Sequence, residues 1–129
     1  ATCVLNAGEQ SDILLGTNLG FAIPGNAPIK GIVFRLGSYL KTGSGTIIGA
    51  AQLSYLGAGV GEIKSPAGTW AVGAATTDLG GANDLWQTTW NPVQINDATF
   101  GVGLVTICGG VAATPGVDYF MVSVYYSVP

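Results

Sequence analysis

The sequence contains no histidine, and its basic residues number only four: Lys30, Arg35, Lys41 and Lys64. Without imidazole the chain lacks the commonest general base and the commonest metal ligand. A serine hydrolase triad of the usual kind is closed to it, and Ser44, Ser54 and Ser65 stand in no nucleophile-elbow context. The four cations are scattered, so no basic patch exists to neutralise phosphates, and nucleic-acid binding is not expected. Gly43-Ser44-Gly45 and Gly59-Val60-Gly61 lack the following helix that a phosphate loop needs.

Charge is scarce as well: 9% of residues are charged, where soluble domains carry about 25%. Long hydrophobic runs are also missing. Glycine and polar residues interrupt every apolar stretch before it reaches the roughly 18 residues of a membrane-spanning helix, so no membrane insertion is expected. Yet 48% of the chain is hydrophobic. An apolar chain with no membrane span is expected to cover part of its surface with other copies or partners, because monomers rarely leave large apolar patches in water. Cysteine is limited to Cys3 and Cys108, too few and too far apart for a zinc framework. They form either one disulfide between the N-terminal strand and a late strand, or two small buried thiols. No cofactor is called for.

What the chain does have is 21 glycines and six prolines punctuating short runs rich in Val, Ile, Thr, Tyr and Phe. That is an all-β pattern in one domain, 1–129, with residues 1–8 a candidate N-terminal arm reaching a neighbour. Strands are expected at 1–6, 12–16, 29–40, 46–56, 70–75, 100–108 and 117–126, with a hairpin tip at 41–45 and loops at 76–83 and 111–116. Alternation places Ile32, Phe34 and Leu36 in the core and Val33, Arg35 and Gly37 on the opposite face. In the last strand Phe120, Val122 and Val124 face one way, and Tyr119, Met121, Ser123 and Tyr125 the other. About eight strands with one short helical turn fit a single antiparallel β-sandwich of jelly-roll type, with a β-barrel as the alternative.

The chain is organised around residues 84–105, which hold Trp86 and Trp90. There Asn91-Pro92 reads as an N-cap followed by proline at the first helical position, giving a helical turn over 92–97. Asp78, Asp84, Asp97 and Asp118 are the candidates for a glycosidase-type acid and base pair. Each sits beside glycine, asparagine or a strand start, where a carboxylate commonly binds local backbone N–H groups, and that structural reading is favoured. Asp78, Asn83 and Asp84 are weaker candidates for calcium, since the EF-hand pattern is absent. Trp70, Trp86 and Trp90, with Tyr39, Tyr55, Tyr119 and Tyr125, can form a sugar-stacking platform. The favoured alternative makes Trp86 and Trp90 core or subunit-interface anchors.

The stretch 84–105, together with Thr17-Asn18-Leu19-Gly20-Phe21-Ala22-Ile23-Pro24, Ile29-Lys30-Gly31-Ile32, Val117-Asp118-Tyr119 and Val124-Tyr125-Tyr126, resembles a β-sandwich domain of tailed-phage virion proteins. These include small head decoration proteins and domains of tail or fibre proteins. The resemblance covers most of residues 11–126 and implies a fold and virion membership, not a mechanism. Related domains often carry charge at the positions of Val33, Gly37 and Met121, which here are apolar or bare.

Taken with the apolar composition, the two-faced apolar strands and the single-domain length, the resemblance leads to the expectation of a non-enzymatic capsid decoration protein, a homo-oligomer with a trimer favoured, bound to the major capsid protein or another virion protein on the capsid surface. Val33, Met121, Tyr119 and Tyr125 are its candidate interface residues, with Trp86 and Trp90 as anchors. The alternatives are a receptor- or carbohydrate-binding module of a tail or fibre protein, using exposed Trp and Tyr on a glycan, and a secreted, extracellular fibre subunit assembling by strand exchange.

Overall fold

The computed structural model describes residues 1–128 and consists of two facing antiparallel sheets. The strands are β1 (Leu14–Gly16), β2 (Ile29–Gly43), β3 (Thr46–Tyr55), β4 (Ala58–Lys64), β5 (Ala75–Gly80), β6 (Gly101–Gly109), β7 (Ala113–Gly116) and β8 (Tyr119–Tyr126). A single helical turn, α1 (Pro92–Asn96), precedes β6. The first sheet has the order β1-β6-β3-β4; in the second, β2 pairs with β5 on one side and with β7 and β8 on the other. Most connections hop between the sheets, which gives the jelly-roll-like β-sandwich expected from the strand pattern.

The core follows from period-two alternation. Ile32, Phe34 and Leu36 of β2 are fully buried and meet Ile47, Ala51 and Leu53 of β3 and Val102, Leu104 and Cys108 of β6. In β2 the register slips between Leu36 and Tyr39, where Ser38 adopts a φ of 49°. The extra residue at this bulge switches the inward parity, so that Tyr39 turns into the core against the Trp70 ring, 4.8 Å away. On the other edge of β2 the register runs unbroken, Gly37 opposite Tyr119 of β8 and Leu40 opposite Gly116 of β7, so one long strand serves β8 in its first half and β7 in its second.

The 84–105 region stitches the sheets together. Ile32 N–H donates to the Asp84 carbonyl at 2.9 Å, and Glu62 N–H donates to the Trp86 carbonyl at 2.7 Å. The Trp86 indole N–H donates to the Ile32 carbonyl at 2.9 Å from a fully buried ring. Trp86 and Gln87 both hold left-handed backbone, with φ of 59° and 56°. Such strain persists only where surrounding contacts over-determine it. The Asn91-Pro92 signal is present as a full capping box: the Asn91 side chain accepts from Gln94 N–H at 2.9 Å and the Gln94 side chain accepts from Asn91 N–H at 3.0 Å.

Several expected boundaries move. Residues 58–64 form a strand despite their glycines, because β4 pairs edge-on with β3. Residues 70–75 are largely loop, and the strand lies after them at β5. Residues 113–116, expected as loop, pair with the end of β2. The tip at 44–45 joins strands of different sheets, so it is a corner and not a hairpin; a Cβ at Gly45 would lie 1.9 Å from the Val111 carbonyl oxygen. Residues 1–10 run beside β7 and β6 of their own chain through isolated bridges at Thr2, Leu5 and Gln10, with Leu5 buried.

The disulfide considered for Cys3 and Cys108 is not formed. Cys3 is exposed near the chain start, whereas Cys108 is buried on β6 and its thiol donates to the Val111 carbonyl at 3.2 Å.

Candidate functional site

The outward positions of the second sheet assemble a shallow cleft of about 320 Å³, lined by Val33, Arg35, Asp78, Met121, Ser123, Tyr125 and the 80–82 backbone. Register explains the grouping. Arg35 stands directly between Asp78 of β5 and Met121 of β8, and Val33 stands between Gly80 and Ser123. Gly31 and Gly37, at the two ends of this row, pair with Tyr125 and Tyr119. Both glycines are required by close approach. A Cβ at Gly37 would lie 2.2 Å from the Tyr119 ring, and one at Gly31 would lie 2.3 Å from the backbone of 81–82. Tyr119 therefore lies across the bare backbone of β2.

Tyr119 and Tyr125 are 40% and 46% exposed, so each presents an aromatic surface to solvent. The interval from residue 119 to residue 125 along β8 spans about 20 Å at a strand rise of ~3.3 Å per residue. Between the rings, the Arg35 guanidinium grips Asp78 with two parallel bonds, Nε to Oδ1 at 2.8 Å and Nη2 to Oδ2 at 3.1 Å. This fork arrangement fixes both groups while leaving outward donor and acceptor positions for a ligand. The hydrogen bond from Arg35 holds the Asp78 carboxyl below its ordinary range.

Two of the other candidate carboxylates, Asp84 and Asp97, are occupied locally. Asp84 binds the Lys64 ammonium at 2.8 Å and accepts from Trp86 N–H at 2.8 Å, and these partners, led by Lys64, lower its pKa. Asp97 caps α1 and accepts from both the hydroxyl and N–H of Thr99, which lowers its pKa too. All three shifts run opposite to the raised pKa a general acid needs. Asp78 and Asp84 belong to separate ion pairs and do not gather around a common point, and among the described residues no three His, Cys, Asp or Glu side chains cluster.

The tryptophans correct one expectation. Trp70, Trp86 and Trp90 are 3%, 0% and 7% exposed, so none offers a stacking platform or an interface in the folded chain. Trp86 and Trp90 are core anchors: Trp90 packs edge-on against Phe100 with centroids 5.2 Å apart, and the Lys64 ammonium lies 5.3 Å from the Trp86 ring centroid. Of the sequence candidates, Val33, Met121, Tyr119 and Tyr125 do share one face. Asp78 was not connected to it, because 76–83 reads as loop. The available signal was Arg35, a lone charge at an outward position of an apolar strand.

The outer face of the first sheet is chemically unlike the second. Ile13 and Leu15 overlie Gly103, and Ile48, Ala50, Val105, Ile107 and Ile63 continue an aliphatic surface across β6, β3 and β4. No charged side chain lines its trough of about 460 Å³.

No protein-family model and no curated protein matches this sequence. Among solved structures, one described as "CBM4 structure and function", a carbohydrate-binding module, matches with a TM-score of 0.51 at 15% identity, over 95% of this chain and 82% of that one. At that identity the likeness speaks to the fold, and the chain shares the β-sandwich architecture of that module.

Proposed function

We propose that this chain is a non-catalytic carbohydrate-binding module whose glycan lies along the outer face of β5, β2 and β8. One observation carries the reading: two exposed tyrosines flank a fixed Arg35–Asp78 fork on an otherwise small-residue strand row. A sugar ring has apolar C–H faces that pack on aromatic rings and a rim of hydroxyls that both donate and accept. Tyr119 and Tyr125 supply the first complement. The guanidinium, the carboxylate and the Ser123 hydroxyl supply the second, since a few convergent polar groups in an apolar setting fix ligand orientation. The spacing of the rings suits an extended oligosaccharide better than a single sugar. The carbohydrate-binding module of like fold supports the class of ligand.

Glycan-array screening of the intact chain, followed by calorimetry on the best ligand, tests the proposal. Binding should fall about tenfold or more, equivalent to ~1.4 kcal/mol, on Tyr125→Ala. Array-wide silence, or binding untouched by both Tyr119→Ala and Tyr125→Ala, refutes it. The head-decoration reading rests on the sequence resemblance and the apolar, single-domain composition, whereas a glycan-binding module of a tail or fibre protein is compatible with both the resemblance and the fold. Binding of the purified chain to particles stripped of it, with no glycan affinity, would restore decoration as the better account.

A further inference from the structure

We propose that the aliphatic outer face of β1, β6, β3 and β4 is a self-association surface that docks against the same face of a second copy about a two-fold axis. The face is built by the same alternation that makes the core. Ala50 sits opposite Val105 and Ile48 opposite Ile107, while Gln52 sits between Gly103 and Ile63. Gln52 lays its amide across Gly59 and donates to the Gly61 carbonyl at 2.9 Å, so its N–H is satisfied within the sheet, and the other polar side chains of the trough are Gln10 and Ser54.

Ile13, Leu15, Ile48, Ile63 and Ile107 are 66%, 51%, 45%, 62% and 39% exposed, which leaves on the order of 500 Å² of side-chain surface in water. That is at the upper end for a monomer's largest apolar patch. With the surrounding Val105, Ala50 and backbone it approaches the roughly 800 Å² per partner of a standard interface.

The occupant follows from shape and charge. A glycan needs aromatic surface to stack on, and no aromatic side chain lines this trough. A charged partner needs countercharge, and nothing charged lines the trough. What complements a flat aliphatic strand face is another one, packed about 10 Å away as in a sandwich core. This face also carries its own complement. Ile13 and Leu15, which lie over Gly103, stand at one side of the trough and Ile63 at the other, with the small Ala50 among the residues that line it. Under a two-fold axis each copy's flanking side chains enter the other's trough, the self-complementarity that an isologous interface requires. Such a dimer is back to back, with its two tyrosine faces pointing in opposite directions, so it would bridge two separate glycan chains.

Sedimentation equilibrium and light scattering of the intact chain test this without reference to any glycan. The expected mass is twice 13.0 kDa at tens of micromolar. Ile63→Glu and Ile13→Glu, both at exposed positions, should reduce it to one chain with the near-ultraviolet tryptophan signal retained, while Met121→Glu on the opposite face stays dimeric. Should the glutamate variants fail to fold, Ala50→Cys in a Cys3→Ser background provides a second readout, a covalent dimer under mild oxidation. A monomer at ~100 μM, a trimer, or a dimer indifferent to Ile63→Glu and not cross-linked through Ala50→Cys would overturn the proposal.

Discussion

The two outer faces of the sandwich are made by one rule and end in opposite chemistries. On β3 and β6 the outward parity reads Ile48, Ala50, Val105 and Ile107, with Thr46 and Gln52 at the two ends of the β3 row; on β2 and β8 it reads Val33, Arg35, Met121 and Ser123, bracketed by Tyr119 and Tyr125. Inward, the sheets are alike, with Ile32, Phe34 and Leu36 meeting Ile47, Leu53 and Leu104. The fold is thus specified by inward residues that both sheets share, and the specialisation lies in the outward ones. One face combines aromatic edges with a fixed ion pair; the other has neither, and offers chiefly dispersion and water exclusion.

The largest effect should come from breaking what holds both faces in place. Trp86 is fully buried, donates its indole N–H to β2 and accepts β4's Glu62 N–H on its carbonyl. Trp86→Ala is expected to cost about 3–5 kcal/mol, the range for truncating a buried aromatic. Urea unfolding would measure it, and both sugar binding and dimer formation should weaken together. Tyr125→Ala, at an exposed position, should stay within ~0.5 kcal/mol of the native stability while abolishing most glycan affinity. If Trp86→Ala left the unfolding midpoint unmoved, the region would not be the link between the sheets.

Next in size is a change that separates the two tyrosines. Gly37→Ala puts a methyl where the Tyr119 ring now lies, 2.2 Å from its atoms, and leaves Tyr125 untouched. The ring must swing off β2, so affinity for a long oligosaccharide should fall several-fold while a short one held at Tyr125 is little affected. Dimer mass should not change. Equal losses for short and long ligands would show that the two rings do not act as separate contacts.

How much of this was visible in the sequence differs by element. The strand run 29–40, the Asn91-Pro92 turn and the alternation of 117–126 were legible because each carries its signal locally: β-branched periodicity, a cap with proline, aromatic alternation. β4 and β5 were not. Their positions hold Gly59, Gly61, Thr76 and Gly80, and their strand character comes from pairing, β4 with β3 and β5 with β2, the latter about 40 residues away in sequence. The loss of β5 hid Asp78 and, with it, the charged half of the candidate site. The aliphatic face was foreshadowed only as a surplus of apolar residues. Which of them point outward depends on β1 and β4 joining the same sheet, and that is a long-range fact.

The smallest expected effect concerns pH and lies between the faces. Lys64 bridges Glu62 and Asp84 at 2.8 Å each, behind the edge of β4 and beside the Trp86 ring. Hydrogen bonding to Lys64 lowers the Asp84 pKa, and hydrogen bonding to Asp84 and Glu62 raises that of Lys64. A depressed carboxyl contributes stability that is complete above its unfolded pKa of about 3.9 and is lost as pH falls through the folded value. The raised ammonium contributes stability complete below about 10.4 and lost as pH rises through its folded value. Urea midpoints should therefore be flat between these limits and decline on both sides. Asp78 and Asp97 are depressed as well, so the acid decline belongs to several groups, and Asp84→Asn isolates one share of it. Asparagine can still accept the Trp86 N–H but no longer attracts Lys64, so the variant should lose a little stability at neutral pH and show a shallower fall in acid. Partial exposure of the pair keeps this change small, since solvent screens surface ion pairs. An acid limb as steep in Asp84→Asn as in the native chain would assign that limb to Asp78 and Asp97, and would take the joint behind the cleft out of the acid response.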